Sequence, residues 1–280
     1  SGATYENAQL KVVAGEVNVV REEKLHETIA YFADSGAEST AGAGMREESF
    51  AEYHLYTLPR RTTIKQNQSK QVGLLSADNI SVAKRYEYRG NATYYSQPIA
   101  PIREEKVGVF LVFDNKEENR LGMPLPAGAM RVNQEDESGA LQFAGEDRIK
   151  HTPKDEEVKL RLGNAFDVVG ERTQTDFRVI ADQVFESAYE VTIRNHKAAE
   201  IVVDVVEPMD GDWAILSKSH DFEKKDARTA VFSLTVPQDG EVTLTYSVRV
   251  SHGAPIGIPL PIGRPRHWPT RPQLPASGPL

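Results

Sequence analysis

Seven histidines, His26, His54, His151, His196, His220, His252 and His267, are the side chains here best suited to metal ligation or proton transfer near neutral pH. No two stand four residues apart, and neither HExxH nor HxH occurs, so the linear spacing of a zinc site is missing. The chain has no cysteine, which removes thiolate ligands, cysteine nucleophiles and disulfides. Gly42-Ala43-Gly44 lacks the further glycine and the strand–turn–helix setting of a dinucleotide site. No GxxxxGK[ST] loop and no GxSxG elbow occur. Two acidic clusters, Glu135-Asp136-Glu137 and Asp155-Glu156-Glu157, suit a hard cation in type but lack the EF-hand spacing. The densest polar stretch is Gly145–Glu157, where Glu146, Asp147, Arg148, His151, Lys154 and Asp155 hold every residue type of a general acid–base site. A salt-bridge network on a connecting loop around Pro153 explains the same residues, and it is preferred. No catalytic, cofactor or metal residue is therefore assigned, and the chain is read as not an enzyme.

Two further groups have the chemistry of binding. Tyr86, Tyr88, Tyr94 and Tyr95 are concentrated enough to form an aromatic platform for a carbohydrate, although strand packing accounts for them more simply. Arg264, Arg266, Trp268 and Arg271 lie in a proline-rich tail, and tryptophan and arginine are common anchors at protein interfaces.

The elements that must position these groups read as strands. Ser187–Asn195, Glu200–Glu207, Thr229–Pro237 and Glu241–Val250 alternate apolar and polar side chains. Asn195–Ala198 and Gln238-Asp239-Gly240 between them predict hairpin turns. Lys106–Asp114 is apolar enough for a central strand, and Met130–Asn133 and Ala140–Phe143 flank a further hairpin candidate at Gln134–Gly139. Gln9–Ala14, Ala51–Leu58 and Val82–Tyr88 also predict strands. Asp34–Glu48, small and polar with three glycines, predicts a mobile loop, and Lys24–Phe32 suits a helical turn or a strand equally. The expected fold is all-β, an antiparallel sandwich of sheets followed by an extended tail. Its expected divisions are a β-rich region at 1–139, an immunoglobulin-like sandwich at 140–252 and the tail at 253–280.

The composition is uneven. Of 16 prolines, half fall within 253–280, a stretch with three arginines and no acidic residue. The remainder carries 30 basic and 41 acidic residues, a net charge of −11. An acidic body argues against nucleic acid as a main partner. No apolar run approaches the roughly 20 residues of a membrane-spanning helix. Proline lacks an N–H and fixes φ, so the tail suits polyproline II or irregular extended chain.

Three stretches resemble a bacterial domain family of unknown function, number 4139. They are EYHLYTLPRRTTIKQNQSKQVGLLSA, AGAMRVNQEDESGALQFAGEDRIKHTPKDEEVKLRLGNAFDVVGERTQ, and a closing run from IRNHKAAEIVVDVVEPMDGDWAILSKS to DARTAVFSLTVPQDGEVTLTYSVRV. The resemblance runs from about Ser1 to Val250. It implies the C-terminal, β-rich half of an exported protein, with a β-rich upstream half covering an edge left open at the N-terminus. It implies a periplasmic or extracellular location in a bacterial cell envelope. No catalytic residue is carried over from it.

The function expected from these observations is a non-enzymatic envelope module that docks onto protein partners, as an accessory subunit of a larger, membrane-associated assembly. Its own upstream half is one expected partner. A carbohydrate or surface-polysaccharide binding module is the alternative, and a hydrolase-type enzyme with an unrecognised site is third. No cofactor, nucleic acid partner or transmembrane segment is expected.

Overall fold

The structure is a computed structural model that describes residues 3–15, 45–50 and 52–253. Its strands, in chain order, are β1 (Tyr5–Ala8), β2 (Lys11–Ala14), β3 (Arg46–Phe50), β4 (Tyr53–Thr57), β5 (Thr62–Ile64), β6 (Ala83–Arg89), β7 (Ile102–Asp114) and β8 (Gly128–Glu135). They continue as β9 (Leu141–Ile149), β10 (Glu157–Ala181), β11 (Val184–Asn195), β12 (Ile201–Pro208), β13 (Asp212–Lys218), β14 (Glu223–Asp226), β15 (Thr229–Val236) and β16 (Gly240–Ser251). The fold is all-β. Among the described residues, helix is confined to short 3₁₀ turns at Ala92–Tyr95 and Glu117–Asn119, and no helix is long and apolar enough to cross a membrane.

Nine strands form one sheet in the order β13-β16-β11-β10-β7-β6-β12-β15-β14, antiparallel throughout except where β12 runs parallel to β6. The period-2 pattern explains how it closes. Tyr189, Val191 and Ile193 of β11 face inward with Leu244, Tyr246, Val248 and Val250 of β16. Phe232 and Leu234 of β15 face them from the other arm, and Phe232 stacks on Tyr246 at 5.3 Å although β15 and β16 are not ladder neighbours. The sheet therefore folds onto itself as a sandwich. Each large apolar side chain buried there contributes about 1.5–3 kcal/mol.

The two turns expected to make hairpins instead carry the chain from one arm to the other. β11 pairs with β10 and β16, whereas β12 pairs with β15 and β6. Asn195, fully buried, donates from Nδ2 to Ala199 O and Pro237 O, both at 2.9 Å. Asp239 N donates to Lys197 O, tying the two crossings together. The left-handed residue of the second turn is Asp239 (φ 46°) rather than Gly240.

A smaller sheet, β2-β4-β3, packs Ala14, Tyr56 and Leu58 into a second core with Met45. Met45 and β3 correct the expected loop at Asp34–Glu48: its last residues are ordered, because Met45 is buried and its N–H donates to Leu74 O. The rest of that interval, and Lys24–Phe32, lie outside the described residues. β8 and β9 form the expected hairpin, a two-stranded sheet with no ladder to any other among the described residues. The expected boundary at 139/140 falls at its tip, and the nine-stranded sheet draws β6 and β7 from one side of that boundary and β10 to β16 from the other. Ladder partners far apart in sequence join the two regions.

Candidate functional site

The densest set of reactive side chains is inside the sandwich. Arg172 sits on the inward row of β10 with Val168 and Gly170, and Glu207 ends the buried run of β12. Their Nη1 and Oε1 atoms are 2.8 Å apart, with both side chains 0% exposed. The 92–95 turn, capped by the Asn91 side chain on Thr93 N, inserts Tyr95, whose hydroxyl donates to Glu207 Oε2 at 2.7 Å and lies 3.1 Å from that of Tyr246. Arg172 Nη1 donates to Tyr246 Oη at 3.3 Å. The guanidinium carbon stands 5.2 Å and 5.5 Å from the ring centroids of Tyr88 and Tyr94, within cation–π range.

Two glycines make the room. A Cβ on Gly90 would fall 2.2 Å from Glu207 Oε2, and one on Gly170 would fall 2.3 Å from the Tyr88 ring. Burial, and then the Glu207 carboxylate, pushes the Tyr95 and Tyr246 hydroxyls well above the ordinary tyrosine range. Burial works against the charge on Arg172, but Glu207 and the tyrosine oxygens outweigh it and hold its pKa above the usual arginine value. With these groups enclosed, the cluster binds β6, β10, β12, β16 and the 92–95 turn into one unit and offers no reacting atom to a solute.

This placement corrects the aromatic platform. Tyr88 and Tyr95 are buried against Arg172, and Tyr86 and Tyr94 are half-buried against the same core, so no row of ring faces meets solvent. The inward parity of β6 and the docking of the 3₁₀ turn are responsible.

The residues of Gly145–Glu157 are brought near one another but turned to separate tasks. Glu146 pairs with Arg131 Nε at 2.6 Å across the hairpin. Asp147 accepts Arg161 N at 2.7 Å and Arg148 N at 2.8 Å, bonds that hold its carboxyl below the usual range. His151 Nδ1 accepts Ala127 N at 3.2 Å. Asp155 adopts φ 67° and its N–H donates to Asn115 O. Much of the stretch is strand β9 rather than loop.

Asn115, which sequence reasoning missed, anchors this region. It is fully buried, donates from Nδ2 to Met123 O at 2.8 Å and Pro153 O at 2.7 Å, and accepts Gly122 N. Asp136 of the acidic tip is likewise committed: it accepts from Ser138, Ala140 and Gln142, and the Ser138 hydroxyl leads in holding its pKa at about 2. Among the described residues, no three His, Asp or Glu side chains are grouped to hold a metal ion. Arg264, Arg266, Trp268 and Arg271 lie outside the described residues.

Two of the surface concavities among the described residues lie beside these segments. One, of about 360 Å³, lies between Ser81, Arg85, Asp114, Lys116 and Glu157. The other, of about 190 Å³, lies between the small sheet and the 151–153 crossing, with His54, Tyr56, Pro124 and His151 in its wall. There His54 Nδ1 is 2.8 Å from Glu47 Oε1, and the Tyr56 hydroxyl donates to Pro124 O at 2.7 Å.

Several large apolar side chains are exposed. Leu141 and Phe143 of β9 are 68% and 66% exposed, two residues apart and so on one face of the strand. Phe166 is 87% exposed. The ladder explains it: Asn164 pairs with Gly108 and Val169 with Lys106, so β10 holds a wide bulge opposite Val107. Ala165 and Val168 turn inward and Phe166 turns out, beneath Lys106 Nζ at 5.7 Å.

Comparison of the chain with protein-family models, curated proteins and solved structures gives no match.

Proposed function

We propose that this chain is a non-enzymatic docking module, an accessory subunit of a larger assembly in the bacterial cell envelope. The observation that carries this reading is the pair Leu141 and Phe143, exposed side by side on a hairpin that belongs to no larger sheet. Grouped exposed apolar side chains on a projecting element are characteristic of contact surfaces, where large aromatic residues supply much of the affinity. Glu135 and Glu137 at the tip suit a partner with basic residues at its rim. The enclosure of the Arg172–Glu207 cluster supports a non-enzymatic role. Membership of family 4139 and the envelope location rest on the sequence motifs above.

Co-purification from the native cells tests the surface. The double variant Leu141→Ser/Phe143→Ser is expected to lose the partner that the wild-type chain retains, with an unchanged melting temperature. Equal recovery of the same partner by both chains would overturn the assignment of this hairpin.

A further inference from the structure

β8 has a long sheet edge without the usual protections against pairing. The large sheet ends in β13, which a bulge at Leu216 interrupts, and in β14, which is four charged residues, Glu223-Lys224-Lys225-Asp226. Both devices blunt an edge. β8 instead runs for eight residues with no proline and no residue at positive φ, and among the described residues it has a ladder to β9 alone. The bulge of this hairpin falls on the other strand: Val132 pairs with Gly145 and Asn133 with Phe143, so the extra residue is Ala144. The outer side of β8 is therefore a regular run of backbone N–H and C=O groups, and its side chains are exposed except for the half-buried Met130 and Val132.

The charges on β8 select an occupant for this edge. In an antiparallel pairing of β8 with β8 of a second copy, directly opposed residues must share a face, so the two-fold axis falls beside a residue. An axis beside Asn133 sets Arg131 of each chain opposite Glu135 of the other, with Val132 opposite Gln134. An axis beside Arg131 opposes two arginines, and one beside Glu135 opposes two glutamates. An axis beside Val132 or Gln134 forms no charge pair within β8. Opposite charges directly across a ladder stabilise it, and like charges destabilise it. Arg131 is already held from the β9 side, where its Nε donates to Glu146 at 2.6 Å, and its guanidinium keeps further donors for the outer side. The Asn133 register thus builds the row Glu146–Arg131–Glu135 across the boundary between the copies, twice.

We infer that this chain forms a two-fold dimer through β8, joining two hairpins into one four-stranded sheet in the order β9-β8-β8-β9. The axis is perpendicular to the sheet, so the same face of both hairpins points to one side. Leu141 and Phe143 of the two copies then share one surface. The pairing doubles the surface proposed for docking but does not rest on it, because the β8 backbone, Arg131 and Glu135 make the contact.

Sedimentation velocity on the full chain tests this. Wild type is expected to shift from monomer to dimer as its concentration rises, and a chain still monomeric at about 1 mM would overturn the inference. Arg131→Glu and Glu135→Arg each set like charges opposite one another at two places, and each is expected to weaken the dimer at least about tenfold. Mixed in equal amounts, the two variants regain opposite charges at both places and are expected to form a heterodimer. A dimer indifferent to both reversals would overturn the inference, as would failure of the two variants to pair when mixed although circular dichroism shows both folded. Leu141→Ser/Phe143→Ser should keep the dimer even where it loses a docking partner; loss of the dimer in that variant would assign the contact to the apolar pair instead. Register is read from Asn133→Cys, whose thiol is the only one in the chain. Under mild oxidation it should link two chains about tenfold faster than Ser138→Cys does, as proximity at the axis requires, and equal rates would overturn the proposed register.

Discussion

Arg172 and Glu207 meet at 2.8 Å with neither side chain reaching solvent. They come from strands separated by β7 and β6 in the order of the sheet, so the contact spans the interior of the folded sheet rather than one ladder. A buried ion pair is seldom more stabilising than apolar residues of equal size, yet losing one partner leaves a charge stranded.

Arg172→Ala and Glu207→Ala are each expected to lower stability by about 3–5 kcal/mol. The double change Arg172→Ala/Glu207→Ala is expected to lose less than the sum of the single changes, with a coupling of at least about 1 kcal/mol. Urea denaturation of the four chains measures this, and strict additivity would mean that the pair is not coupled.

The glycine beneath Tyr88 is a second point of sensitivity. Gly170→Ala places a methyl group 2.3 Å from a buried ring that packs on Arg172. The ring must shift, at a cost of about 1–3 kcal/mol. A thermal midpoint equal to wild type would show that the cluster relaxes freely. Gly128→Ala, with nothing within 4 Å of its added carbon, is the control.

Asn115 holds the 122–124 and 153–156 segments together through its buried amide. Asn115→Ala strands two carbonyls and one N–H and is expected to cost about 2–4 kcal/mol. Faster hydrogen exchange at Leu125 and Thr152, which pair as an isolated bridge, should accompany the loss. Unchanged exchange there would place the role of Asn115 elsewhere.

The hairpin tip should respond to acid. Asp136 has a carboxyl pKa lowered from 3.8 to about 2, first by the Ser138 hydroxyl and then by Gln142 and backbone bonds. A lowered folded-state value stabilises the turn above the unfolded-state value and ceases to do so as pH falls through the folded one. The tip should therefore be fully ordered at pH 5 and loosen between about pH 4 and 2, read from the amide shifts of Ser138 and Ala140. Asp136→Asn should show the loosened shifts already at pH 5, and a pH-independent wild-type spectrum would remove the claim.

Particular residues show how much of this was legible. Tyr189, Val191 and Ile193 announce a buried strand face by alternation alone, and so do Phe232, Leu234 and Leu244. Alternation also marks the two ends of the β8–β9 hairpin, because the acidic turn between them breaks the pattern. It does not name a partner strand. Asn195–Ala198 and Gln238–Gly240 have the chemistry of hairpin turns and act as crossings between arms, since a turn's composition constrains local φ and ψ but not the ladder that follows. The 25-residue β10 also escaped notice, because its bulges shift the period part-way along.

The functional residues divide in the same way. Residue types, the missing cysteine, the absent metal and nucleotide motifs, the acidic body and the basic, proline-rich tail follow from composition and spacing, and short-range periodicity sets the all-β class. Which charges are enclosed and which apolar groups are exposed was decided by tertiary structure alone. Arg172 and Glu207 lie 35 positions apart in the chain and resemble any surface pair until the sheet folds over them. Leu141, Phe143 and Val179 look like core residues until the structure leaves them exposed. Burial depends on what packs across the sandwich, and that contact is made by strands whose sequence neighbours carry no record of it.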